Sequence, residues 1–169
     1  MVKAGKKAHR DTNATAFREL VRGLASVSDV IAPTPASIYD CLTKAHLSEK
    51  HAVSAMLSRE ELSREAPEAG VPDELSDKAI AGHFADAAGY YGAAAMDNAA
   101  TGDLPRAFKY YRKAAIHARR AATLQTPGDA KLLEQAKEYK GKAAIVRQEI
   151  ARRTLLRKRF SLGILKRRR

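Results

Sequence analysis

The sequence predicts an all-α protein: a helical bundle built around a long alanine-rich antiparallel hairpin and carrying a basic C-terminal extension. Three observations lead there. Apolar and small residues recur at steps of three and four through most of the 169-residue chain, the period of one helical face. Near the centre, Thr101-Gly102-Asp103 joins two such stretches. Gly102 is suited to the left-handed conformation that ends a helix, Asp103 to capping the next, and Pro105 to its first turn. The hydrophobic content is 45%, yet only 6% of residues are aromatic and none is tryptophan. The core must therefore be thin, with closely approaching helices.

In chain order, residues 1–12 form a basic arm with Lys3, Lys6, Lys7 and Arg10. Residues 13–66 read as an N-terminal helical cluster. Its first helix carries Phe17, Leu20, Val21, Leu24, Val27 and Ile31 on one stripe and stops before Pro33. Thr34-Pro35 restarts the chain into a second helix through Ile38, Leu42 and Ala45 to about His46. Ser48 is expected to cap a third, with Val53, Met56 and Leu57 facing inward, and Ser58 with Glu61 to form a capping box for a short acidic turn. Pro67, Gly70 and Pro72 mark residues 67–77 as a linker or a surface loop.

Residues 78–153 then form a three-helix bundle. Its first helix presents Ile80, Phe84, Ala87, Tyr91, Ala94 and Ala95. The second presents Ala107, Tyr111, Ala114, Ala118 and Ala121. Thr126-Pro127-Gly128-Asp129 breaks the chain and caps a third helix, whose seam is Leu132, Ala136, Tyr139, Ala143, Val146 and Ile150. Gly141 lies inside that helix, where another backbone is expected to come close. Residues 154–169 are a basic tail, with Ser161 and Gly163 interrupting helix propensity.

Charge is unevenly placed. The formal net charge is +12, and residues 104–169 hold 20 Lys/Arg against 4 Asp/Glu, while residues 51–103 hold 3 against 10. Dense cations displace counterions from nucleic-acid phosphates, so RNA or DNA backbone is the partner this distribution favours. The candidate contacts are the arm (Lys3, Lys6, Lys7, Arg10), the second hairpin helix (Arg106, Lys109, Arg112, Lys113, Arg119, Arg120) and the C-terminal stretch (Arg152, Arg153, Arg157, Lys158, Arg159, Lys166, Arg167, Arg168, Arg169). No sequence-reading motif accompanies them, so backbone and shape recognition is expected. A membrane surface is a weaker expectation for the tail, where Leu155, Leu156 and Phe160 interleave with the cations.

The hairpin resembles a tetratricopeptide repeat. The second helix carries Ala107, Tyr111 and Ala114 at that family's spacing, and the first carries Tyr91, Ala94 and Ala95. The family's tyrosine on the first helix falls on Asn98, and its closing proline on Arg119. With the third helix bearing Tyr139, the region also resembles the three-helix bundle of microtubule-interacting-and-transport domains. Both families bind peptides between helices, so the resemblance implies a peptide groove around Tyr91, Tyr111 and Tyr139.

Catalytic signatures are missing: the sequence holds no HExxH, CxxC, Gly-x-Ser-x-Gly or phosphate loop. His9, His46, His51, His83 and His117 are scattered, and Cys41 is expected to be a small apolar residue on a helix face. No enzyme activity, cofactor, metal or small-molecule substrate is expected. A lone cysteine and no apolar leader point to an intracellular reducing compartment, or to the inside of a virus particle, rather than to secretion. The expected role is a non-catalytic structural subunit of a large assembly, a ribonucleoprotein or virus particle, that meets nucleic-acid phosphates and neighbouring proteins. The alternatives are a peptide-docking adaptor, or a scaffold protein assembling through its acidic and basic faces.

Overall fold

The computed structural model describes residues 35–125 and 128–166, with side chains described to residue 157. Four helices make up this region: α1 (Pro35–Glu65), α2 (Asp77–Ala100), α3 (Leu104–Leu124) and α4 (Ala130–Lys166), with one 3-10 turn at Asp73–Leu75. The fold is all-α, and there is no strand among the described residues. Each helix packs against its neighbours in sequence, and α2 meets α4 at only a few points. The result is an antiparallel array.

Three caps read from the sequence, Gly102, Asp103 and Asp129, are in place, and Ser76 supplies a fourth. The Ser76 hydroxyl accepts from Ala79 N at 3.2 Å and opens α2. Gly102 takes φ +84°, and its N–H donates to Ala99 O at 3.1 Å to close that helix. Asp103 accepts from Arg106 N at 3.2 Å, and Asp129 accepts from Lys131 N and Leu132 N at 2.8 and 3.2 Å. Each cap satisfies donors that a helix start leaves without partners.

Three expectations are corrected. The expected helices from Pro35 to His46 and from Ser48, with the short turn through Glu65, are one continuous helix of 31 residues. No Pro or Gly interrupts residues 36–65, and a serine alone does not stop a helix. Val53, Met56 and Leu57, expected inward, are 42, 43 and 61% exposed, while Ala45 and Ala52 are fully buried. Gly141 is exposed with nothing near it. The close approach is at Gly92, which packs against the Tyr139 ring.

The core is a seam of alanines punctuated by rings. Fourteen of the 21 buried apolar side chains among the described residues are alanine, so the helices approach closely and contact is made largely by backbone and Cβ. One cluster joins Tyr91, Ala95, Leu104, Tyr111, Ala118, Tyr139, Ala143 and Val146 across α2, α3 and α4. A smaller one joins Ala52, Ile80, Phe84 and Ala121 near the other end. The α2 and α3 faces predicted from periodicity are all buried.

Helix α4 outruns its neighbours. At 1.5 Å per residue it is about 55 Å long, against about 32 Å for α3. Ile150 is the last of its residues packed against the main cluster, and residues 151–157 are all exposed. The expected irregular tail is helical through Ser161 and Gly163 to Lys166. Antiparallel alternation puts this extension at the end of the array where α2 passes into α3. The acids of residues 60–77 lie at the opposite end.

Candidate nucleic-acid interface

Helix α3 holds six cations and no acid. Ala107, Ala114, Ala118 and Ala121 bury one of its faces, so the helical period turns most of the cations away from the core. Arg106, Lys109, Arg112, Arg119 and Arg120 are exposed. Lys109, Arg112, Arg119 and Arg120 have no carboxylate within 4.0 Å among the described residues, while Arg106 lies 3.4 Å from Asp103. Aromatic rings interleave with them. The Arg112 guanidinium stands 5.8 Å from the centroid of Phe108, Lys109 stands 6.0 Å from Tyr110, and Arg120 stands 5.7 Å from Phe84. The face offers cationic donors and, at Phe108 and Tyr110, partly exposed π-surface, whereas Phe84 is buried; cations and rings are the two elements of sequence-independent contact with nucleic acid.

Lys113 does not belong to that face. Its Nζ donates to Tyr91 Oη at 2.8 Å, lies 3.4 Å from Glu49 Oε2, and stands 4.5 Å from the Tyr91 ring centroid. Tyr91 Oη donates to Glu49 Oε2 at 2.6 Å, and His117 Nε2 lies 3.4 Å from Glu49 Oε1. His117 is stacked between Phe84 and Tyr91 at 5.6 and 5.5 Å. A polar cluster from α1, α2 and α3 thus sits beneath the basic face. Its contacts between helices join residues 22 to 68 apart in sequence, and no local spacing could have revealed them.

The electrostatics of the cluster follow from burial. Desolvation pushes the His117 imidazole below its ordinary value, Arg120 and Lys113 add to the shift, and Glu49 opposes it. Burial alone would raise Glu49, but the Tyr91 hydrogen bond and the charges of His117 and Lys113 together hold it below the usual carboxylate range. Burial raises the Tyr91 hydroxyl, so it stays a donor. His117 Nδ1 is buried without a hydrogen-bond partner among the described residues.

A pH dependence follows. A histidine whose folded pKa is depressed binds protons more readily in the unfolded chain, so acid favours unfolding. His117 leaves stability unchanged above its ordinary value of 6.5 and subtracts from it as pH falls below that value. Glu49 contributes above its ordinary 4.5, and its contribution is lost at lower pH. The urea midpoint is expected to drop between pH 7.5 and 5.5, and the drop to shrink in His117→Phe. An unchanged drop in that variant would place the titration elsewhere.

The remaining C-terminal candidates divide. Arg152 donates to Glu149 at 2.6 and 2.8 Å, and Arg153 does so at 2.9 Å. Glu149 is only 5% exposed and is held below the usual range, first by the Arg152 hydrogen bond. These two arginines are therefore partly neutralised within their own helix. Arg157 is exposed, and Lys158, Arg159 and Lys166 lie on the same helix. Lys3, Lys6, Lys7, Arg10, the 13–31 stripe, Thr126-Pro127 and Arg167, Arg168 and Arg169 lie outside the described residues.

Tyr91, Tyr111 and Tyr139 do not line an open groove. They are 0, 0 and 9% exposed, and Tyr111 and Tyr139 are tilted ring neighbours at 6.3 Å. Their spacing reflects core packing. Cys41 is half-buried, and burial raises its thiol, which fits an unreactive helix-face residue. The array brings His51 and His83 together with ring centroids 5.5 Å apart, yet no group of three metal-ligating side chains forms among the described residues. None of the described helices is long and apolar enough to cross a membrane. Comparison with protein-family models, curated proteins and solved structures returns no match.

Proposed function

We propose that the chain is a non-catalytic structural subunit of a nucleic-acid-containing assembly, holding RNA or DNA phosphates against the outer face of α3 and the extension of α4. The acid-free face of α3 carries this reading. A merely solvated surface mixes signs, as α1 does, whereas α3 keeps four exposed cations without a carboxylate neighbour. The cations sit on a rigid helix whose other face is locked by alanine packing, so they form a fixed array. Phosphate contacts of this kind position a subunit without reading sequence. The internal commitment of Lys113 and the pairing of Arg152 and Arg153 with Glu149 narrow the surface to fewer cations than the sequence offers.

The test is a salt series. Binding of the intact protein to duplex DNA and to structured RNA is expected to weaken steeply as salt rises. Each lost phosphate contact should lower the log–log slope on duplex DNA by about 0.9. Lys109→Ala, Arg112→Ala and Arg119→Ala together should lower it by about 2 to 3, and deletion of residues 152–169 should lower it further. If affinity and slope survive both changes, the proposal fails.

A further inference from the structure

Four rings of the central hairpin form a ladder. Phe84 and Tyr91 stand seven residues apart on α2, and Tyr110 and His117 stand seven apart on α3. Seven residues are close to two helical turns, a rise of about 10.5 Å, so each helix presents its two rings on one side. The antiparallel pairing interleaves them. Phe84 stacks on His117 at 5.6 Å and 16°, His117 on Tyr91 at 5.5 Å and 13°, and Tyr91 on Tyr110 at 6.1 Å and 14°. Phe84, His117 and Tyr91 are 1, 2 and 0% exposed. Tyr110 alone is partly exposed, and among the described residues no further ring stacks on it. The next α2 position in the series, seven residues beyond Tyr91, is Asn98, whose amide turns back to donate to Ala94 O at 2.7 Å. The ladder thus ends at the surface in a single aromatic ring.

We propose that Tyr110 is the stacking platform for an unpaired nucleic-acid base, so that the α3 surface takes a single strand in preference to a duplex. The inference rests on the phosphate reading of α3 and names the form of nucleic acid that this surface receives. Charge, order and access each support it.

Charge surrounds the ring. Lys109 Nζ stands 6.0 Å from its centroid, and the exposed Arg106 lies one turn away on the same helix. Lys113, over the neighbouring Tyr91 ring, is engaged by Glu49, whereas Lys109 has no carboxylate within 4.0 Å among the described residues. A backbone phosphate held by Lys109 and Arg106 leaves its own base beside Tyr110.

Order lowers the cost of binding. Tyr110 packs against the main core cluster and stacks on a buried ring, so little rotamer freedom remains to be lost when a base arrives. Access selects the strand. In a duplex the faces of each base are covered by its neighbours, whereas an unpaired strand can turn a base outward onto a ring. Every base has a π-face, so stacking adds affinity without reading sequence.

The test uses the full-length protein with an oligothymidylate and an oligouridylate of about 20 nucleotides and a DNA duplex of about the same length, each across a salt series. Either single strand should bind about fivefold or more tighter than the duplex at equal salt, and the tighter of the two identifies the sugar. Tyr110→Leu should weaken single-strand binding about 5- to 100-fold, the range for losing one stacked base, with the log–log salt slope and the duplex affinity unchanged. Tyr110→Phe should keep the affinity. In the unaltered protein, an oligouridylate carrying iodouridine should photocrosslink at Tyr110, a readout that needs no substitution. Equal affinity for single strand and duplex with a steep salt slope overturns the stacking inference and leaves the phosphate surface standing. Equal losses on both in Tyr110→Leu, or crosslinks confined to other residues, do the same. Absence of salt-dependent binding to all three nucleic acids overturns both.

Discussion

Replacing Tyr91 with alanine is expected to lower the folding free energy by about 3 to 5 kcal/mol, the range for deleting a fully buried aromatic side chain. Tyr91 is 0% exposed and sits where α1, α2 and α3 meet. Its ring contacts His46 edge-on at 5.7 Å and stacks with Tyr110 and His117 at 6.1 and 5.5 Å. Its hydroxyl joins Glu49 to Lys113. Truncation opens a cavity and removes the central donor of the polar cluster together. Tyr91→Phe separates the two effects: the ring stays, the cluster loses one hydroxyl, and the loss should be about 1 to 2 kcal/mol. Urea titration of both variants, with unchanged slopes, measures the difference. If alanine costs no more than phenylalanine, the ring does not anchor the three helices.

Gly92→Ala should destabilise by about 1 to 3 kcal/mol, the usual range for overpacking, although Gly→Ala inside a helix ordinarily stabilises by roughly 1 kcal/mol. A Cβ at Gly92 would lie 2.5 Å from Tyr139 Oη and 2.7 Å from its Cε1 and Cζ. That ring is half-locked by Tyr111 and by the donor Gln135 Nε2 at 3.2 Å. Gly141→Ala supplies the contrast, because nothing lies within 4 Å of its Cβ position, and it should stabilise. Combining Gly92→Ala with Tyr139→Leu should recover much of the loss, since the neighbour at fault is then gone. Thermal midpoints that move the same way for Gly92→Ala and Gly141→Ala would refute the assignment of the close approach.

The central hairpin is legible in the sequence because its signals are local and agree. Period, turn glycine, capping aspartate and first-turn proline all specify the same geometry within about 45 residues of one another. Helix α1 is legible only in outline. Ser48 and Ser58 carry the chemistry of caps, but a cap marks a boundary only where something also ends the preceding helix, as Pro67 does. Size misleads as well. Val53, Met56 and Leu57 attract the inward assignment by hydrophobicity, whereas a close crossing admits only Ala45 and Ala52.

The candidate surface is legible in charge and illegible in its pairing. Composition marks the cations of α3, but Lys113 is turned inward by Glu49 and Tyr91, 64 and 22 residues away. Arg152 and Arg153 meet Glu149 at three and four residues, a pairing within reach of sequence rules that the count of positive charge hides. The three tyrosines stand at spacings that a binding groove and a core share, and only burial separates the two.

The alanine seam also shapes the entropy of folding. A buried leucine or methionine must give up rotamer freedom when it is ordered, and alanine has none to lose. Most of this core therefore orders at the cost of backbone freedom alone, while seven buried apolar residues lose side-chain freedom, the largest of them the rings of Phe84, Tyr91, Tyr111 and Tyr139. The energy of the array is spread over many small contacts. Its large side chains are few, and four of them are rings.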